Sequence, residues 1–133
     1  MKKRTSNIFS VLIVLSSLIS TQSSASESNA NAKNGIIAIK SSHTVSETID
    51  KLEDVLNKKG MTIFKRVNHS AGAEKAGLTL RPTELLIFGN PKVGTPLMLC
   101  SQTAALDLPQ KALAYEDESG QVWLAYNLSL IHI

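Results

Sequence analysis

Glu84-Leu-Leu-Ile-Phe-Gly89-Asn-Pro-Lys-Val-Gly94-Thr-Pro-Leu-Met-Leu-Cys100-Ser-Gln-Thr-Ala-Ala-Leu-Asp107-Leu-Pro109 is the stretch that decides how this chain folds. Leu85 to Phe88 form a short unbroken apolar run, the pattern of a strand buried on both faces. Gly89-Asn90-Pro91 ends it: a residue before proline is pushed towards extended geometry, and Gly89 and Gly94 permit positive φ. Thr95-Pro96 matches a helix start, with threonine as N-cap and proline at the first helical position. Leu97, Cys100, Ser101, Ala104 and Ala105 then share one helical face, and Met98 and Leu99 widen it. The expectation is a core helix from about Pro96 with Cys100 buried in it, returning through Leu108-Pro109.

Upstream, Gly35 to Lys40 reads as a strand, and Thr44 three residues before Glu47 has the spacing of a capping box. Val45, Ile49, Leu52 and Leu56 make one apolar stripe, predicting an amphipathic helix from about Val45 to Lys59 that Gly60 terminates. Met61 to Val67 follows as a strand with Ile63 and Val67 on one face and Phe64 on the other. Asn68 to Gly77 is predicted to form a short helical turn. Beyond the central helix, Ala112 to Tyr115 and Val122 to Tyr126 flank the polar turn Glu116 to Gly120 as a β-hairpin. The order is strand, helix, strand, turn, strand, helix, hairpin (β-α-β-β-α-β-β). It defines a small α+β domain with an antiparallel sheet of about five strands and two main helices.

The N-terminus reads differently. Met1-Lys2-Lys3-Arg4, the apolar stretch Ile8 to Ile19 and the small residues Ser23-Ser24-Ala25 form a secretory signal, with cleavage expected after Ala25. The apolar stretch is shorter than the roughly 20 residues that span a bilayer, so no membrane association is expected after cleavage and the protein is predicted to be periplasmic or secreted. Residues 1–25 are thus assigned to the signal, 26–34 to a disordered leader, 35–127 to one domain and 128–133 to an atypical tail. The whole chain has 14 Lys+Arg against 11 Asp+Glu. Lys2, Lys3 and Arg4 account for that difference, so removing them leaves 11 against 11. A balanced mature charge lacks the basic stripe that nucleic acid or an anionic membrane requires. The one cysteine excludes an internal disulfide, leaving packing, or a dimer interface, to supply stability.

Phe88 to Met98, Ala105 to Pro109, Glu116-Asp117 and Trp123 to Asn127, with His69 and Ala71-Gly72-Ala73 before them, resemble the family of domains of unknown function numbered 302. The resemblance spans about Gly35 to Asn127. It implies a compact α+β domain similar to the TATA-binding-protein-like fold, often dimeric, and it implies no activity. Family members continue after Tyr-Asn into a terminal helix, whereas Tyr126-Asn127 here precedes Leu-Ser-Leu-Ile-His-Ile133.

The chemistry-bearing residues define three function classes. The loop Asn90, Lys92, Gly94 and Thr95 enters a helix, where free amides and the Lys92 charge suit a small anion or carboxylate; its Gly and Pro serve turn geometry equally well. His69 at a strand end suits a general acid/base or a metal ligand, against the plainer reading of local backbone bonding. Joined with Asn90 and Thr95, it would define a ligand pocket. The resulting expectation is an exported ligand-binding or interaction module for an unknown small ligand. The alternatives are an enzyme using His69 and a purely structural homodimer. The spacing of the histidines and carboxylates defines no metal site and no cofactor motif.

Overall fold

The computed structural model describes residues 31–33 and 35–127. The expected signal at 1–25, residues 26–30 of the leader, and the tail at 128–133 with His132 lie outside them. Six strands form one antiparallel sheet: β1 (Asn31–Lys33), β2 (Ile36–Ser41), β3 (Thr62–Asn68), β4 (Thr83–Gly89), β5 (Gln110–Glu116) and β6 (Val122–Asn127). Their spatial order is β1-β2-β6-β5-β4-β3. The body is thus a five-stranded sheet, extended at one edge by the three residues of β1, which lie within the stretch 26–34 expected to be a disordered leader. Three helices intervene, α1 (Val45–Lys58), α2 (His69–Lys75) and α3 (Pro91–Cys100), with a 3-10 turn at Gln102–Leu106. The α+β class and element order are those expected from the sequence.

α1 forms where its caps dictate. The Thr44 side chain accepts from the Glu47 amide at 3.2 Å, and Glu47 Oε2 accepts from the Thr44 amide at 3.0 Å, so two amides of the first turn are satisfied reciprocally. These bonds hold the Glu47 carboxyl below its ordinary range. At the other end Gly60 takes φ 71°, the left-handed geometry that lets the chain leave the helix. The apolar stripe of α1 lies on the sheet: Val45, Ile49 and Leu56 are buried with Leu86, Phe88, Ala112, Ala114 and Val122, and Leu52, Met61, Ile63, Leu124 and Tyr126 pack around them. Ile49 and Leu86 are 0% exposed and form the centre of this core.

The other side of the sheet carries a second apolar row. Strand register aligns Ala38, Ala125, Leu113, Leu85 and Val67 in one apolar row across five strands. β4 therefore alternates, with Glu84, Leu86 and Phe88 buried and Leu85 and Ile87 half-buried, and is not sealed on both sides as its apolar run suggested. β3 departs from simple alternation as well. Ile63 pairs with Phe88 and Lys65 with Ile87, leaving Phe64 as a bulge residue. One extra residue reverses the facing of all that follow, so Ile63 and Val67 occupy opposite faces rather than the same one.

The sequence also misplaced the core. No residue of α3 is buried; Leu99 is 82% exposed and Cys100 lies on the surface. The buried helical residues come from α1, and neither α2 nor α3 contributes one. α3 also starts one turn early. Asn90 caps it through Oδ1, which accepts from the Lys92 amide at 3.0 Å, Pro91 occupies the first turn, and Pro96 falls inside. Thr95 is not the cap. Gly89 and Gly94 both have negative φ; positive values occur at Gly35, Gly60, Gly77 and Gly120.

The β5–β6 turn is built on Asp117. Oδ1 accepts from the Ser119 amide and hydroxyl at 2.9 and 2.6 Å and from the Gln121 amide at 3.0 Å, while Oδ2 accepts from Trp123 Nε1 at 2.7 Å. The Ser119 hydroxyl, then the Trp123 indole, hold this carboxyl down at about 2 against an ordinary 3.8.

Three outcomes test this description. Ile49→Ala should lower unfolding free energy in urea by about 2–5 kcal/mol, the range for emptying a packed core site. Leu99→Ala, on the exposed side of α3, should stay within about 0.5 kcal/mol of the parent. Because the folded pKa of Asp117 is depressed, its contribution is full above 3.8 and is lost as pH falls through about 2. Acid titration followed by Trp123 fluorescence should show that loss in the parent, and Asp117→Asn should lack the component.

Candidate functional site

Where β4 runs into α3, the sheet edge opens into a groove of about 470 Å³. Met61 and Phe64 supply one wall, Pro91, Val93, Leu97 and Met98 the other, and Leu108 and Pro109 the floor. Asn90, Thr95 and Gln110 are the polar side chains on its lining, and no charged residue is among them. The geometry follows from two local features. The bulge displaces Phe64 to the edge, where its ring is half-exposed. Gly89 admits it: a β-carbon there would sit 3.3 Å from Phe64 Cε2 and 3.6 Å from Pro109 Cβ, so a side chain would press against the ring that forms the wall.

The structure gathers some of the sequence-derived candidates and separates others. Asn90, Gly94 and Thr95 line the groove; Lys92 is exposed on the same helix but is not part of the lining. His69 is not there. It opens α2 just beyond Asn68, which pairs with Glu84, whereas Asn90 follows Gly89, which pairs with Thr62. The two lie at opposite ends of the β3–β4 ladder, about 20 Å apart at the rise of a strand. A pocket combining His69 with Asn90 and Thr95 is therefore ruled out, together with oxyanion support from the loop for a His69 acid/base. His43 is exposed in the β2–α1 loop, its amide bonded to Ser41 Oγ at 3.2 Å.

The expected anion site fails on its donors. Pro91 has no N–H, the Lys92 amide is taken by Asn90 Oδ1, and the Val93 and Gly94 amides both donate to Asn90 O at 2.9 Å. The first turn of α3 spends its amides on its own cap. Among the described residues no cluster of three or more His, Cys, Asp and Glu side chains is spaced to hold a metal ion.

A polar cluster that the sequence did not suggest lies at the far end of the sheet. Arg66 Nε donates to Glu84 Oε2 at 2.6 Å and its Nη1 to Asp50, while Nη2 reaches Ser46 Oγ at 2.9 Å. Asn68 Nδ2 donates to Glu84 Oε1 at 3.1 Å. Burial opposes the Arg66 charge, but its bonds to Asp50 and Glu84 outweigh that and raise its pKa. These groups satisfy one another and tie α1 to β3 and β4. Their signal in the sequence, a glutamate opening an apolar strand, was legible only with the register known.

Residues 37–130 match the family described as "Domain of unknown function DUF302". In a crystal structure of an "uncharacterized conserved protein DUF302" from Bacillus stearothermophilus the same fold recurs with a TM-score of 0.66 at 20% identity, over 71% of this chain and 74% of that one. Two Brucella proteins are 53% identical over 93 residues, 70% of this chain: "Fluoride-specific ion channel FluC 1" of Brucella suis and "Fluoride-specific ion channel FluC 2" of Brucella melitensis. The chain covers 37% and 34% of those two proteins, about a third of their length.

The donor count yields a direct test. Millimolar inorganic phosphate should leave the melting temperature where an equal ionic strength of chloride leaves it, because a ligand held only by the native state must raise it. A phosphate-specific rise abolished by Lys92→Ala would restore the anion site.

Proposed function

This chain belongs to the DUF302 family, whose description assigns no activity, and we propose that it is an exported binding module whose working surface is the groove beside α3. The guest is a neutral, apolar small molecule. The observation carrying this reading is a concave site of about 470 Å³, lined mainly by Met, Phe, Leu, Val and Pro and by no charged group. That volume falls in the usual range for small-molecule sites, roughly 300–1,000 Å³. Thr95 and Asn90 on the lining give the guest a polar end to orient against. Export to the periplasm or the exterior rests on the basic, apolar and small-residue pattern of residues 1–25.

The relatives named as fluoride channels sharpen the choice of guest. Among the described residues no helix is long and apolar enough to cross a membrane, and β1 and β3 are the outermost strands of the sheet those residues form. We read the shared region as a module carried beside the channel-forming part of those proteins. Fluoride itself does not suit the groove: a small, strongly hydrated anion needs several donors to replace its water, and the cap of α3 has consumed the amides nearest to it.

Nile red, a neutral solvatochromic dye, probes the site. Its emission should rise and saturate with the parent protein. Met98→Asp should weaken binding by about tenfold or more by placing a carboxylate against an apolar guest. Leu99→Asp, on the exposed side of α3, should bind as the parent does, and sodium fluoride should not displace the dye. Equal binding by both variants would remove the groove as the site.

A further inference from the structure

We infer that residues 90–108, comprising α3 and the 3-10 turn, form a hinged flap that closes over the groove when a guest occupies it; this rests on the groove being the binding site. The first argument is what holds the segment. α1 is fixed to the sheet by Val45, Thr48, Ile49 and Leu56, whereas neither α3 nor the 3-10 turn has a buried residue. Val93, Leu99 and Leu106 are 61%, 82% and 84% exposed. The segment is tied chiefly to itself: Asn90 Oδ1 with the Lys92 amide, the Ser101 amide with Leu97 O at 3.0 Å, and Ser101 Oγ with Thr103 Oγ1 at 2.9 Å. Such a piece is internally tied but weakly fastened to the core, and elements of that kind open locally at low free energy.

The second argument is the helix itself. Pro96 lies inside α3, has no N–H for the Lys92 carbonyl four residues earlier, and crowds it. Gly94, one turn in, adds backbone freedom that helix formation must remove. Gly94 lines the groove, where a rigid helix would hold it at one width. At the C-terminal end Ser101, φ −152° and ψ 111°, interrupts α3 before the 3-10 turn and gives the flap a joint.

The third argument is what closure gains. Met61 and Phe64 from the start of β3 and Leu97 and Met98 from the flap line the same groove. Swinging the flap inwards on a guest removes apolar surface on both walls from water, which supplies the differential affinity a population shift requires.

Hydrogen exchange on the full chain tests this, with Nile red as the guest. In the free protein the amides of 97–106 should exchange at least about 100-fold faster than those in the middle of α1. Saturating dye should slow them by about tenfold or more and leave α1 unchanged. Gly94→Ala with Pro96→Ala restores a continuous helix; a β-carbon at Gly94 meets Leu108 Cδ1 at 3.6 Å, an ordinary contact. That variant should show slower exchange in 97–106 without dye and admit dye severalfold more slowly. Protection in the free parent equal to that of α1 overturns the flap, as does dye binding with unchanged exchange. Absence of dye binding removes the groove reading instead, and the free-protein comparison still decides whether the segment opens.

Discussion

The bulge at Phe64 is the constraint on which the other features of this domain depend. With Ile63 facing α1, strict alternation would turn Lys65 and Val67 towards the helix and Arg66 away from it. The extra residue reverses this, so Arg66 and Asn68 face α1 and meet Glu84, Asp50 and Ser46. Val67 moves to the opposite side, completing the apolar row with Leu85, Leu113, Ala125 and Ala38. The displaced Phe64 ring becomes the groove wall and crowds the place a β-carbon would take at Gly89.

The Arg66 cluster shows why this arrangement is stable in one register. Glu84 is 7% exposed, and a carboxylate at that depth needs its charge answered and its oxygens occupied. Arg66 and Asn68 each bond one oxygen, and Arg66 spans to α1 through Asp50 and Ser46. Buried ion pairs contribute little net stability against an apolar replacement, but removing one partner strands the other. A register slip of β3 against β4 would do that, so the pair enforces the pairing more than it strengthens it. The β5–β6 hairpin follows the same logic on the surface, where Asp117 satisfies three donors of its turn and reaches Trp123. Trp123 in turn carries the Lys40 ammonium 5.5 Å above its ring centroid.

Local chemistry was legible in the sequence wherever one short pattern admitted one structure. Thr44 and Glu47 specified the start of α1 and Gly60 its end, and alternating Val, Trp, Leu and Tyr specified β6. The start of α3 was ambiguous because Asn90-Pro91 and Thr95-Pro96 both satisfy the rule of a polar cap followed by proline. The first pair prevails because Asn90 leaves β4 already extended, with φ −127° and ψ 109°. The near absence of charge from Pro91 to Leu106 made α3 look like a core helix, since composition reports what a surface dislikes and not whether a partner covers it. The distance between His69 and Asn90 was, by contrast, readable. In an antiparallel pair joined through α2, the residue after the first strand sits beside the start of the second strand and not its end. The bulge left no mark, because Phe64 is as acceptable in a regular strand as in a displaced one.

A domain of this size with one sheet and one packed helix cannot seal all its apolar surface. α1 covers one face and the remainder is divided between the Ala38-to-Val67 row and the walls beside α3. These two regions differ in kind. The row is flat and contains small residues at Ala38 and Ala125, a shape suited to close approach by another surface but not to enclosing a molecule. The α3 region is concave, has methionine on both walls at Met61 and Met98, and is bounded by a helix that its own Pro96 weakens. Methionine adapts its unbranched chain to irregular partners, and a yielding wall lets one groove fit guests of different size. Shape and compliance together, more than apolarity alone, are what recommend the α3 groove over the open sheet as the proposed binding surface.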